Sequence, residues 1–202
     1  MGKILKIASI ASEVAPFSKT GGLADVARSL PKAISRLGHK VIVITPLYNQ
    51  IIDKTALKLK EIYHNIDLDI GGQTVSVNYW QGYLMDGLPV YFVEQKDYFG
   101  LGPEIYGLPN DNARFYLFDV ASLRLLELLQ FQPDIIHCHD WQTGLIPQLL
   151  NTQFKHSSAL RGARTVFTIH NLIFQLAIIG GRHRLRRKIL ALKNCRPLTI
   201  RT

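Results

Sequence analysis

The sequence predicts an α/β fold: a doubly wound, mostly parallel sheet with an antiparallel hairpin excursion in its first half. Short runs rich in Val and Ile recur at residues 3–11, 40–45, 134–139 and 165–170, with the length and composition of strands buried on both faces. Between them, residues 23–37 and 111–130 repeat apolar side chains at helical spacing. Alternating strands and helices on short connections give a sheet with helices on both faces.

Residues 3–11, KILKIASIA, form the first strand. Basic residues before an apolar stretch superficially suggest a signal peptide, but the stretch is short and broken by Ser9 and Ser12. A loop follows, punctuated by Pro16 and the pair Gly21-Gly22. Leu23, Val26, Ala27, Leu30, Ala33, Ile34 and Leu37 then line one helix face, with Gly38 placed to end it. KVIVIT, closed by Pro46, is the second strand, so the first 45 residues or so read as a right-handed βαβ unit. Residues 58–93 read as three strands separated by Gly71-Gly72 and Asp86-Gly87, both hairpin signals. Tyr79, Trp80 and Tyr83 are assigned there to sheet packing. Asp111 is placed to cap a helix running to Gln130, Pro133 precedes the strand DIIHCH, a helix covers 142–150, and TVFTIH is the last strand.

The net charge of +9 does not describe the body of the protein. Residues 176–202 contain eight Lys or Arg and no acid, leaving sixteen basic against fifteen acidic residues elsewhere, a net of +1. The body therefore carries no general signature of nucleic-acid binding. No apolar run reaches the 18 or so residues of a membrane span. Cys138 and Cys195 are too few for a disulfide framework, which points to a reducing compartment.

The strongest chemical signal is the loop from Ser12 to Gly22. It lies beyond the carboxyl end of the first strand, where open parallel sheets bind ligands. Gly21 and Gly22 allow close backbone approach, the helix after them aims its free N–H groups at an anion, and Lys19 adds a point charge. Neither GxGxxG nor GxxxxGK[ST] is present, so the dinucleotide and P-loop fingerprints are missing and a nicotinamide-dependent oxidoreductase is set aside. In His137-Cys138-His139-Asp140, strand alternation puts both histidines on one face and the cysteine on the other. No spaced Cys/His set accompanies them, so no metal site is assigned. Asp25 falls in the first helical turn, where a carboxylate suits the helix dipole whether or not it has a chemical role. Glu13 is on the cradle loop, as a cleft residue or an ordinary loop carboxylate.

Lys19-Thr20-Gly21-Gly22-Leu23-Ala24-Asp25-Val26, preceded by Ser12-Glu13-Val14-Ala15-Pro16, resembles the N-terminal signature of bacterial glycogen synthases and plant starch synthases. The resemblance recurs in order at Asp111-Asn112-Ala113-Arg114-Phe115, at residues 133–141 (PDIIHCHDW) and at residues 165–172 (TVFTIHNL), so it covers residues 3–175. It implies the Rossmann-like N-terminal half of a two-domain GT-B fold, and a retaining transfer of glucose from ADP-glucose to an α-1,4-glucan without cofactor or metal. By this resemblance Lys19, Gly21 and Gly22 contact the donor's phosphates, and Glu13 and Asn171 join the donor-binding residues. Asp140 borders the acceptor side, His170 sits near the donor glucose, and Asp25, Asp140 and His170 are the candidate catalytic groups. No membrane or nucleic-acid partner is implied. A core motif starting near residue 9 leaves no room for a plastid transit peptide, so a bacterial cytosol is expected.

After Gln175 the chain reads LAIIGGRHRLRRKILALKNCRPLTIRT, which departs from the resemblance. Residues 1–175 are read as an incomplete N-terminal catalytic domain, inactive alone. Residues 176–202 are read as a basic tail, frame-shifted or disordered, with a genuine lineage-specific tail as the alternative. A non-enzymatic glucan- or nucleotide-binding module whose basic tail is functional is the competing reading of the whole chain.

Overall fold

Five residues at the start of the chain, Lys6–Ile10 (β1), form the strand around which the rest is ordered. Ile7, Ala8, Ser9 and Ile10 are all buried, as expected of a strand covered on both faces. The computed structural model describes residues 2–84 and 87–172. Residues up to His170 make one unit; Asn171–Thr202 make a second, of which Asn171 and Leu172 are described. The tail assigned to 176–202 lies outside the described residues.

Among the described residues the sheet has seven strands: β1, β2 (Lys40–Pro46), β3 (Lys60–Asp69), β4 (Thr74–Tyr83), β5 (Pro89–Glu94), β6 (Ile135–His139) and β7 (Arg164–Thr168), in the order β3-β4-β5-β2-β1-β6-β7. The pairs β1–β2, β1–β6, β2–β5 and β6–β7 are parallel. The pairs β3–β4 and β4–β5 are antiparallel, which makes them the expected hairpin excursion. Helix α1 (Gly22–Arg36) connects β1 to β2 and ends as expected: Gly38, at φ 91°, donates its N–H to Ser35 O at 2.9 Å. A single turn, α2 (Lys96–Phe99), follows β5. Helix α3 (Asp111–Leu128) returns the chain to β6 in the direction opposite to α1, so right-handed crossovers place the two helices on opposite faces. Burial of Phe115, Leu117, Phe118, Val120, Ala121, Leu123, Leu125 and Leu126 makes α3 a central element rather than a surface one.

Three local features differ from expectation. Asp111 is inside the first turn of α3, and Asn110 is the N-cap residue. The Asp111 carboxylate instead ties down the preceding loop, accepting from Gly107 N at 2.7 Å and from Arg114 Nη1 at 2.6 Å. Arg114 is 1% exposed and also donates to Tyr98 O, so its charge is held inside by fixed acceptors. The helix expected over 142–150 is split into a 3-10 turn, Trp141–Thr143, and α4 (Ile146–Asn151). Pro147 near the start of α4 has no N–H to continue an earlier helix, and Leu145 N donates to Asp119 Oδ2 instead. Tyr79 does pack in the sheet, fully buried with its hydroxyl donating to Ala121 O, but Tyr83 is 60% exposed.

Glu94, at the carboxyl end of β5, is buried yet carries a charge. Burial pushes its pKa up, but hydrogen bonds from Lys54, Asn49, Trp80 and Asn78 outweigh it and hold the carboxyl down at about 2. Lys54 also lies over the Trp80 ring at 4.2 Å. Because the folded value lies below the unfolded one, this stabilisation is complete above about pH 4.5 and is lost as pH falls towards 2. Urea titrations between these limits should show a loss of roughly 2–3 kcal/mol attributable to this group. Glu94→Gln should start less stable and lose that part of the acid dependence; an unchanged acid limb would remove Glu94 from the account.

Candidate active site

Strand order locates the site before any side chain is considered. From β1 the chain steps to β2, moves outward to β5, and returns to β6 on the other side of β1. The winding reverses between β1 and β6, and the crevice beyond the carboxyl ends of such a pair is the ligand position of open α/β sheets. The loop after β1, the turn after β6 and residues 169–170 after β7 all leave from this edge, because β1, β6 and β7 are parallel and adjacent.

The loop after β1 is held from within. Ala15 N donates to Ala24 O at 3.1 Å, fastening it to the first turn of α1. Glu13 is 2% exposed and turns its carboxylate onto the loop, where Oε2 accepts from Thr20 N at 2.6 Å and Thr20 Oγ1 at 2.9 Å. Tyr48 donates to Ser12 O at 2.7 Å, and the Ser12 and Tyr106 hydroxyls share a hydrogen bond of 2.7 Å. The tip is open by contrast. Gly21 is the N-cap of α1 in extended conformation and supplies no side-chain cap, which leaves the helix N-terminus available to an anion. Lys19 Nζ lies 2.8 and 2.7 Å from the two Asp25 carboxylate oxygens. Both side chains are about half exposed, at 51% and 57%, so this ion pair contributes only about 0–1 kcal/mol. A phosphate can therefore compete for Lys19 at small cost.

The ends of β6 and β7 bring a second set together. His137 and His139 share a face, as alternation predicts, with ring centroids 4.0 Å apart. Cys138 is buried, and burial pushes its thiol pKa up, so it is not a reactive thiolate. His139 Nδ1 lies 2.8 Å from His170 Nε2, while His137 Nε2 lies 2.8 Å from Thr168 Oγ1. Burial and neighbouring imidazoles lower both pKa values, that of His139 to about 3, so both rings are neutral at pH 7. Among the described residues, no group of three or more His, Cys, Asp or Glu is arranged to hold a metal.

Asp140 closes this edge. It is 7% exposed, and its Oδ1 accepts from His170 N at 2.8 Å. Its backbone sits at φ 58°, ψ −177°, a region that an L side chain occupies only under strain. Trp141, next in the chain, packs edge-on against Phe115 at 5.2 Å. The structure thus brings Glu13, Lys19, Gly21, Gly22 and Asp25 together on one loop and helix start, and Asp140 with His170 on the neighbouring strand ends. Asn171 is exposed and is the first residue of the second unit. Sequence reasoning gave no role to Ser9, whose Oγ is 3.2 Å from His139 Nε2. The signal available was its place on the strand that pairs with β6, with Ser9 opposite His137 in register.

A doubly wound α/β domain with its ligand crevice at the switch point is the class that this fold and site define. More narrowly, the chain belongs to the starch synthase catalytic domain family of glycosyltransferases, whose pattern matches residues 6–194, past the point at Gln175 where resemblance was read to end. It is 46% identical over 175 residues to a glycogen synthase of Anaeromyxobacter sp. (strain Fw109-5), covering 85% of this chain and 35% of that one. A glycogen synthase of Moorella thermoacetica (strain ATCC 39073 / JCM 9320) is 44% identical over 179 residues, with 87% and 35% covered. Among solved structures, the catalytic domain of starch synthase IV from Arabidopsis thaliana, bound to ADP and acarbose, superposes with a TM-score of 0.76. That match is at 35% identity and covers 84% of this chain and 34% of the other. The chain spans about 35% of the length of the curated relatives it matches.

The strain at Asp140 separates two contributions of one residue. Asp140→Ala keeps the Cβ in its unfavourable conformation and leaves the His170 N–H without its acceptor, so urea unfolding should show a loss of about 1–3 kcal/mol. Asp140→Gly loses the same bond but relieves the backbone, and should recover about 1 kcal/mol relative to Ala. Equal stabilities for the two variants would mean that the backbone there is unstrained.

Proposed function

We propose that residues 1–175 form the N-terminal part of the catalytic unit of a retaining glucosyltransferase that extends an α-1,4-glucan from ADP-glucose. The observation that carries this reading is the uncapped N-terminus of α1, with Lys19 beside it, at the switch-point edge that also holds Asp140 and His170. Departure of a nucleoside diphosphate develops negative charge, and helix N–H groups with a lysine stabilise it in place, so the reading assigns no metal or cofactor. Family membership and the ADP and acarbose on the starch synthase IV domain support the choice of donor and glucan.

The roles follow from position. Lys19, Gly21 and Gly22 receive the diphosphate, and Asp25 holds the lysine in readiness from the first turn of the helix. Glu13 acts through Thr20 to keep the loop's shape. His170 lies beside the donor glucose, with Asn171 next to it, and Asp140 both fixes the His170 backbone and borders the acceptor path. The buried free thiol of Cys138 fits a reducing cytosol. Residues 176–202, read from the sequence as a tail, are matched by the family pattern as far as residue 194.

Two experiments test this reading. The 202 residues span about 35% of the length of the glycogen synthases they match, and by themselves they should transfer no glucose from ADP-glucose to glycogen. Elongation of a labelled glucan by the clean chain would overturn that part. Catalytic roles can be assayed by grafting residues 1–172 in place of the matching segment of the Anaeromyxobacter glycogen synthase. Lys19→Ala in this chimaera should lower turnover about 10²–10³-fold. Near-normal turnover with a slightly raised KM would make Lys19 a solvated loop residue.

A further inference from the structure

Behind the cleft edge, Ser9, His139 and His170 stand in a single hydrogen-bonded file. Ser9 Oγ is 3.2 Å from His139 Nε2, and His139 Nδ1 is 2.8 Å from His170 Nε2. Ser9 is 2% exposed and His139 is fully buried, so both groups must satisfy their hydrogen bonds within the protein. The centroids of the His139 and His170 rings lie 5.1 Å apart with their planes 20° apart, so the two rings meet edge to edge through this bond.

Only one proton fits between the facing nitrogens of His139 and His170, so the proton positions on the two rings are coupled. Ser9 decides which of the two arrangements is adopted. Among the described residues its hydroxyl has one partner, His139 Nε2. With the His139 proton on Nε2, the Ser9 hydroxyl would have to accept, and its own proton would be left buried without an acceptor. With Ser9 O–H donating to Nε2, the His139 proton lies on Nδ1 and is donated to His170 Nε2. His170 must then carry its proton on Nδ1, a nitrogen with no partner among the described residues.

We propose that His139, backed by Ser9, is a positioning residue that locks His170 in its Nδ1–H tautomer and leaves that N–H as the ring's free donor. His139 does not itself take up a proton, since burial together with His137 and His170 keeps it neutral. The tautomer follows from geometry alone. Its consequence, a donor presented to a substrate oxygen, rests on placing His170 beside the donor glucose.

Long-range ¹H–¹⁵N correlation spectra of the whole chain at neutral pH, with ¹⁵N-labelled histidine, read each ring's protonated nitrogen directly. His139 and His170 should both carry their proton on Nδ1. In Ser9→Ala the donor to Nε2 is gone, and both rings should become tautomer mixtures, while His137, bonded to Thr168, stays as it was. In His139→Asn an amide N–H takes the place of Nδ1–H and should keep His170 in its original form. A wild-type His170 protonated on Nε2, a Ser9→Ala spectrum identical to wild type, or a His139→Asn that moves His170 to Nε2–H would each overturn the proposal. Should Ser9→Ala fail to fold, the wild-type spectrum alone decides. No substrate is needed, so failure to bind ADP-glucose leaves this result intact, and the wrong tautomer leaves the proposed function standing.

Discussion

The parallel pairing of β1 with two neighbours at once is the constraint on which the rest depends. Lys6–Ile10 hydrogen-bonds to β2 on one side and β6 on the other, and the ladder extends past both ends through Lys40 N to Leu5 O, Ala11 N to Ile44 O and Asp134 N to Lys6 O. A strand so held cannot slip by one residue without turning Ile10 and Ala8 from one buried face to the other. Its carboxyl end is therefore a fixed point. The connection through α1 leaves it one way and the return through α3 arrives the other way, which opens the crevice that Lys19 and Asp140 flank.

Burial alone does not decide charge in this protein; the number of donors does. Glu94 and Asp119 are both nearly inaccessible carboxyls. Glu94 receives four side-chain donors, one of them a lysine, and is held ionised. Asp119 receives the Leu145 N–H, and burial outweighs that bond to push its pKa well up. The imidazoles at the carboxyl edge follow the same rule with opposite sign, because a buried base with neutral partners gives up its charge. The carboxyl edge thus sets the half-exposed Lys19 and the helix start beside the neutral rings of His137 and His139, so those two histidines supply no positive charge there.

What the sequence made legible and what it hid divide along physical lines. Buried parallel strands announce themselves because both faces must be apolar, so β1, β2 and β6 were found to within three residues. β7 was found from the same composition, but it is exposed rather than buried on both faces, with Val166 and Phe167 open to solvent. The hairpins were found because Gly71 and Gly87 adopt positive φ at their turns. Side-chain pairings across loops left no periodic trace. The Lys19–Asp25 ion pair, the Glu13–Thr20 clamp and the strained backbone of Asp140 depend on where a loop turns, and composition does not report that. The same holds for two histidines: His39 Nδ1 accepts from Leu5 N, and His64 pairs with Glu61. The four motifs that marked the family contributed most where physics was weakest, at loop tips and strand ends.

The glycines of the cradle show why those motifs sit where they do. Gly38 is explained by its backbone, at φ 91°, and Gly82 by its neighbours, since a Cβ there would come within 2.6 Å of Leu59. Neither reason applies to Gly21 and Gly22. Gly21 is extended at φ −149°, a Cβ on it would meet nothing closer than Glu13 Oε1 at 3.9 Å, and one on Gly22 would meet nothing within 4 Å. An L residue would be tolerated by the protein at both positions, so the room that their missing side chains leave lies on the solvent side of the helix start. That space adjoins uncapped N–H groups and Lys19, and its size and polarity suit a phosphate brought against the backbone. The fold that holds the cradle does not require these two glycines, whereas the phosphate contact proposed for them does.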